Sequence, residues 1–213
     1  MKIVLNILKA FLINITFIGI IFASNSCPSI HPQDAQDSPV EQAEAILGDI
    51  LCSFIDLHTS GNNTFFSALS LTKKKIIPYI DFEYSAELAL GKYWEQLEPM
   101  DRKIFERDIK TTLINEYINT LVNLEDWHHV NITVDNNFSQ VNNLAEIQVL
   151  SSFENQNTTA TVTLKLIRKD RWRVYDLVYQ SFSILDYFEY SYSEKIKRAG
   201  GLKNTLQNML QRT

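Results

Sequence analysis

Neighbouring carboxylates are the first place to look for chemistry in this chain. Glu125-Asp126, and Asp81 with Glu83, could share acid–base work if their protonation states were split. Each pair reads more simply as a solvated helix end or a cap. His128-His129 is the only histidine cluster. Adjacent residues on a strand point to opposite faces, so the two would struggle to hold one ion, and no metal is expected. Tyr117, Tyr175 and Asp176 are the remaining titratable candidates for an enzyme working inside a cavity. A tyrosine hydroxyl paired with a carboxylate is equally a buried structural hydrogen bond.

Other catalytic motifs cannot be written. Glycine occurs only at 19, 48, 61, 91, 200 and 201, which leaves no phosphate-cradling loop, dinucleotide fingerprint or serine nucleophile elbow. The Asn-x-Ser/Thr triplets at Asn62, Asn131, Asn137 and Asn157 matter only in a eukaryotic secretory host. No enzyme activity is expected, and no cofactor.

These residues sit in 213, with a net charge of −5, 45% hydrophobic and 11% aromatic residues. That balance disfavours a nucleic-acid binder and supplies ample material for a core. Residues 1–9 carry Lys2 and Lys9 with no acid, and Ala10 to Ala23 run almost wholly apolar before Ser24-Asn25-Ser26. A membrane-spanning helix needs about 20 apolar residues, so residues 1–26 read as a secretory signal peptide. Its removal takes the net charge to −7. Residues 27–38 read as a flexible segment and 39–213 as a single domain. Cleavage near Ser24 to Ser26 is preferred; the alternative is a lipoprotein with Cys27 acylated. A bridge from Cys27 to Cys52 is a further option in an oxidising compartment, which sequence alone does not establish.

The elements that must position any site follow from capping and periodicity. Ser38-Pro39-Val40-Glu41 is a capping box with proline at the first helical position. The helix behind it carries Ala43, Ile46, Leu47, Ile50, Leu51, Phe54 and Ile55 as one stripe. A short helix is expected over Phe65 to Ile77, a third from Asp81 through about Trp94, and a fourth from Pro99 to Val122. In the fourth, Phe105, Ile109, Leu113, Tyr117 and Leu121 recur every four residues. Period two then takes over in runs around 130–134, 145–149 and 160–166, and a fourth run, 172–179, is apolar on both faces, giving an antiparallel meander of four strands. Helical spacing returns over Ser183 to Arg198, with a stop at Gly200 or Gly201 and a final short helix. The fold class is α+β, a four-stranded antiparallel twisted sheet with helices packed on it.

Several spaced motifs together resemble one family. Pro78-x-x-Asp81-Phe82, Leu90-Gly91-x-x-Trp94, Pro99-x-x-Arg102-x-x-Phe105 and Leu113-x-x-x-Tyr117-x-x-x-Leu121 follow one another in order. Trp172-Arg173-Val174-Tyr175-Asp176-Leu177, Ser183 and Gly200-Gly201-Leu202 continue the series. Over about residues 40–210 the chain resembles the periplasmic phospholipid-binding proteins of the MlaC family. It departs from the family pattern at Ser181-Phe182, where a small Gly-Val pair is common, and at Lys203, where an acid usually follows the glycine turn.

The resemblance implies a carrier in the periplasm of a Gram-negative cell, with phospholipid as cargo. Such a carrier shuttles glycerophospholipids between an outer-membrane lipoprotein–porin complex and an inner-membrane ABC transporter whose periplasmic subunit binds lipid. This traffic maintains outer-membrane lipid asymmetry. The implied fold is a nuclear-transport-factor-like cone with an apolar cavity. The alternatives are an enzyme on a similar cone, or a lipid-anchored envelope scaffold.

Given the resemblance, the candidate lining is Phe105, Ile109, Leu113 and Tyr117 on the long helix. Facing them would be Val162, Leu164, Leu166, Val174, Tyr175 and Leu177 on the strands, with Phe82, Leu90 and Trp94 closing one wall. Periodicity alone makes each of these equally a plain core residue. Lys73-Lys74-Lys75, Arg102 and Arg168 are candidate contacts for acidic partner surfaces, and a charge run of this kind is equally a solvated face.

Overall fold

The computed structural model describes residues 38–123, 129–153 and 159–211. The leader, Cys27, Glu125-Asp126, His128 and Asn157 lie outside them, as do the side chains of Tyr117 and Leu121. Among the described residues, no helix is long and apolar enough to cross a membrane.

The chain enters through α1, Pro39–Thr59, whose cap is the one anticipated: Ser38 Oγ accepts a hydrogen bond from Glu41 N at 3.3 Å. Helix α2, Phe65–Lys75, is capped by Thr64, and a 3-10 turn at Ile77–Tyr79 carries Pro78 past its end. Asp81 caps α3, Phe82–Leu90, by accepting from Tyr84 N at 2.9 Å. This helix is shorter than the expected run to Trp94. Gly91 adopts φ +49, which breaks α geometry, and residues Gly91–Gln96 continue as a 3-10 helix. Helix α4, Pro99–Asn123, is the longest at 25 residues.

The sheet has six strands rather than four. They are β1 Val130–Val134, β2 Ser139–Val141, β3 Leu144–Phe153, β4 Thr159–Arg168, β5 Trp172–Tyr179 and β6 Phe182–Ser183. All pairs are antiparallel in the order β1-β3-β4-β5-β6, with β2 also beside β3. The four anticipated runs are β1, β3, β4 and β5. The two additions are short, and neither alternates in a way that marks a strand: β2 is exposed at all three positions. Strand β6 leads directly into α5, Ile184–Ala199, which ends at Gly200 in the left-handed conformation (φ +73) before α6, Leu202–Leu210.

Registry sorts the sheet into one apolar and one polar face. Ile147, Leu164 and Leu177 lie side by side across β3, β4 and β5, and so do Val149, Val162 and Tyr179. Glu146, Lys165 and Asp176 align on the other face. A bulge between Lys165 and Leu166 leaves Tyr175 without a partner on β4, so Leu177 and Val174 both reach the apolar side.

Helices cover that apolar face only in part. The amino-terminal turns of α1 lie on β1 and β3, while α3 and α5 meet β5. The principal neighbours of α4 are α2, α3 and α6.

Candidate functional site

Among the described residues, the buried apolar side chains form four clusters, bridged by partly buried residues such as Leu164 and Leu177. One is helical: Leu90, Trp94, Phe105 and Ile109 interlock with Phe188, Tyr192 and Ile196 of α5. The Phe105 and Tyr192 rings meet edge to face at 5.1 Å. A second seats Val40 and Ala43 of α1 on Val134, Ala145, Ile147, Leu166 and Trp172. A third joins Phe54, Ala68 and Ile118 at the far end of α4, and a fourth joins Ala160, Val162 and Tyr179.

Between these clusters lie large apolar side chains that remain only partly buried. Leu164, Val174 and Leu177 on the sheet are of this kind, as are Leu47 and Ile50 on α1 and Leu113 and Ile114 on α4. Leu164 is the telling member. Its strand is flanked by β3 and β5, and its neighbour Ile147 is 0% exposed, yet Leu164 keeps accessible surface. In an interior packed to normal density, the middle of a central strand is where exposure should vanish.

The anticipated lining residues therefore fall into two sets. Leu90, Trp94, Phe105 and Ile109 sit in the helical cluster, at 5% exposure or less, with Phe82 packed beside them. Val162 and Leu166 are buried on the sheet face. Leu113, Leu164, Val174 and Leu177 are only partly buried and pack against the edges of the clusters. Leu47 and Ile50 of α1 and Ile114 of α4 belong with them and were not in the anticipated lining. Their signal was present in the α1 stripe and beside the α4 stripe.

Among the described residues, the titratable candidates Asp176, Tyr175, Asp81 and Glu83 are engaged in holding the structure. Asp176 is 3% exposed and accepts from Leu177 N at 2.8 Å, Leu185 N at 3.0 Å and Ser183 Oγ at 2.8 Å. Lys165 Nζ adds an ion pair at 3.1 Å. Ser183 Oγ in turn accepts from Asp186 N at 3.0 Å, so the pair fixes the start of α5. Tyr175 packs edge to face on Tyr84 at 5.0 Å. Burial above all, then the negative potential of Tyr84, Glu146 and Asp176, pushes its hydroxyl up to about 12, so it stays neutral and is no general base at neutral pH. Asp81 and Glu83 share Lys169, at 3.0 and 3.3 Å. Among the described residues, no group of three His, Cys, Asp or Glu side chains could hold a metal ion.

Three of the basic candidates are also occupied. The Arg102 guanidinium lies 4.7 Å from the Trp94 ring and donates from Nε to Leu97 O at 3.2 Å. Arg168 lies over the Trp172 ring at 5.8 Å. Lys75 is paired with Asp49 at 2.8 Å, which leaves Lys73 and Lys74.

This arrangement is similar to that of a solved phospholipid-binding protein from Ralstonia solanacearum, determined in complex with a phospholipid. The superposition has a TM-score of 0.66 and covers 80% of this chain and 93% of that one, at 18% sequence identity, a likeness of fold. No curated protein matches the sequence. The sequence profile described as MlaC protein matches residues 63–211, most of the chain from α2 onward. On that match, the chain belongs to the MlaC protein family.

Proposed function

We propose that this chain is a phospholipid carrier of the periplasm, without catalytic activity. It would take the acyl chains of a glycerophospholipid into the gap bounded by α1, α4 and the apolar sheet face. The observation that carries this reading is the partial burial of Leu164 on the central strand β4 and of Val174 and Leu177 on the adjoining β5, together with that of Leu47, Leu113 and Ile114 on the helices. Family membership and the phospholipid bound by the Ralstonia protein support it.

The energetic case is simple. Each exposed methylene costs about 0.8 kcal/mol, so two chains of roughly 16 carbons cost on the order of 25 kcal/mol in water. A carrier must offer those chains apolar walls that its own side chains have not already filled. The part-buried set supplies such walls, and among the described residues none of its members is cationic. Selection among head groups is accordingly weak in this reading.

Within it, cargo moves between an outer-membrane lipoprotein–porin complex and an inner-membrane ABC transporter, sustaining outer-membrane asymmetry. The export that this requires is supported by the leader-like residues 1–26 and by Cys52. Cys52 is disulfide-bonded, and the sequence holds one other cysteine, Cys27, outside the described residues. Disulfides persist in oxidising compartments such as the periplasm.

Transfer between vesicles tests the carrier reading. With donor vesicles holding labelled phospholipid and unlabelled acceptors, the chain should accelerate label exchange in proportion to its concentration. A chain that retains bound lipid yet leaves exchange at the background rate is a lipid-binding protein and not a shuttle.

A further inference from the structure

Helix α2 has an outer face that its packing does not explain. Its inner side closes a core cluster through Ala68, Leu69 and Leu71, against Phe54 of α1 and Ile118 of α4. At helical spacing the opposite side aligns Phe66, Ser70, Lys73 and Lys74, all exposed. Phe66 is 79% exposed and its neighbour Phe65 43%, their rings 5.8 Å apart and edge to face. The helix carries three lysines and no acid, in a chain whose net charge is −5. Lys75 is neutralised by Asp49, whereas Lys73 and Lys74 have no carboxylate partner among the described residues.

We propose that α2 is a membrane-docking helix: it lies on an anionic bilayer with Phe66 in the interfacial zone and Lys73 and Lys74 against lipid phosphates. From Phe66 to Lys74 the helix rises about 12 Å, so an aromatic anchor and a basic end can touch one flat surface together. The composition favours a bilayer over a protein partner. Protein interfaces are depleted in lysine and draw their strength from Trp, Tyr and Arg seated in complementary pockets. An exposed phenylalanine beside flexible point charges instead matches an interface where the apolar ring enters the headgroup boundary and phosphates need no directional partner. With an acidic body behind it, such a patch also orients the chain, since the remaining surface is repelled by the same lipids.

Vesicle flotation tests this directly. The chain as recovered from cells is mixed with vesicles of phosphatidylcholine alone, or of phosphatidylcholine containing about 30 mol% phosphatidylglycerol. The unaltered chain should float only with the anionic vesicles, and high salt should release it. K73Q/K74Q should weaken that binding about twenty-fivefold, from roughly fivefold per lysine, and adding F66S should weaken it further. All variants share one N-terminus, so any contribution of residues 1–37 cancels. These positions are exposed, so the thermal midpoint and the phospholipid recovered per chain should not change. Equal flotation of F66S/K73Q/K74Q and the unaltered chain would overturn the proposal. So would failure of the unaltered chain to float, which would leave an acidic protein surface as the occupant of this face. Neither result depends on whether the gap behind the sheet holds lipid, which is measured separately.

Discussion

Gln42, on the first turn of α1, exchanges two hydrogen bonds with the backbone of Trp172, on the first residue of β5. Its Nε2 donates to Trp172 O at 2.9 Å, and its Oε1 accepts from Trp172 N at 3.1 Å. The side chain is 1% exposed, although glutamine is rarely buried. This contact pins the start of α1 to the sheet, beside the cluster of Val40, Ala43 and Trp172. Further along the same helix, Leu47 and Ile50 are no longer fully covered. The helix is thus fastened to the sheet at its start, while its middle packs against the cluster of Phe54, Ala68 and Ile118.

Removing that fastener should be costly. Gln42→Ala leaves the Trp172 amide and carbonyl without their buried side-chain partner and is expected to destabilise the fold by about 2 kcal/mol, read by equilibrium denaturation. A change below the scatter of the measurement would mean that the strand already satisfies both groups.

Enlarging side chains discriminates a gap from a filled interior. Leu164→Phe should cost less than about 1 kcal/mol and should lower the lipid recovered per chain, because the extra volume has somewhere to go. Ile147→Phe, on the adjacent strand at 0% exposure, should cost about 1–3 kcal/mol through overpacking. Equal penalties at the two positions would place Leu164 in ordinary core.

The tight turn into β6 predicts a stabilising change. Gln180 and Ser181 both adopt positive φ, +48 and +65, in a two-residue link between paired Tyr179 and Phe182. Such turns favour Asn-Gly or Gly, and neither residue here relieves the strain. Ser181→Gly should therefore raise stability by about 0.5–1 kcal/mol in thermal or chemical unfolding. No gain would mean that Ser181 compensates through contacts of its own.

Alkaline titration tests the placement of Tyr175. Burial raises its hydroxyl to about 12, so the folded state favours the neutral phenol. The associated stability is complete below the unfolded value of about 10 and is lost as pH rises through about 12. Following tyrosinate absorbance, Tyr175→Phe should remove amplitude from the late part of the curve. Loss from the early part would show that this ring is solvated.

How far the sequence could be read depended on whether a residue's local chemistry fixed its role. Caps did so: Ser38 and Asp81 each start a helix through a hydrogen bond to the backbone a few residues on. Alternation did so for β1, β3 and β4, whose inward positions are set by a period of two, and a short run apolar on both faces did so for β5, where the bulge breaks that period. Strand β6 escaped because Gln180-Ser181 lacks the residues that normally announce a hairpin, and β2 because an exposed three-residue edge needs no apolar face. The lining was legible only in part for a different reason. A stripe such as Phe105, Ile109 and Leu113 shows that one helix face is covered, not by what. Phe105 and Ile109 are buried in the cluster with α5, whereas Leu113, one turn on, packs against that cluster only partly buried. Which covering element arrives is decided by chain topology, in particular by the return of α5 beside α3.

Native mass spectrometry of the chain as isolated from a bacterial envelope, followed by organic extraction, measures the central claim. The account predicts about one phospholipid per chain, with the adduct diminished in Leu164→Phe and retained in Ile147→Phe molecules that remain folded. A chain that is consistently empty, both as isolated and after incubation with phospholipid vesicles, would contradict it.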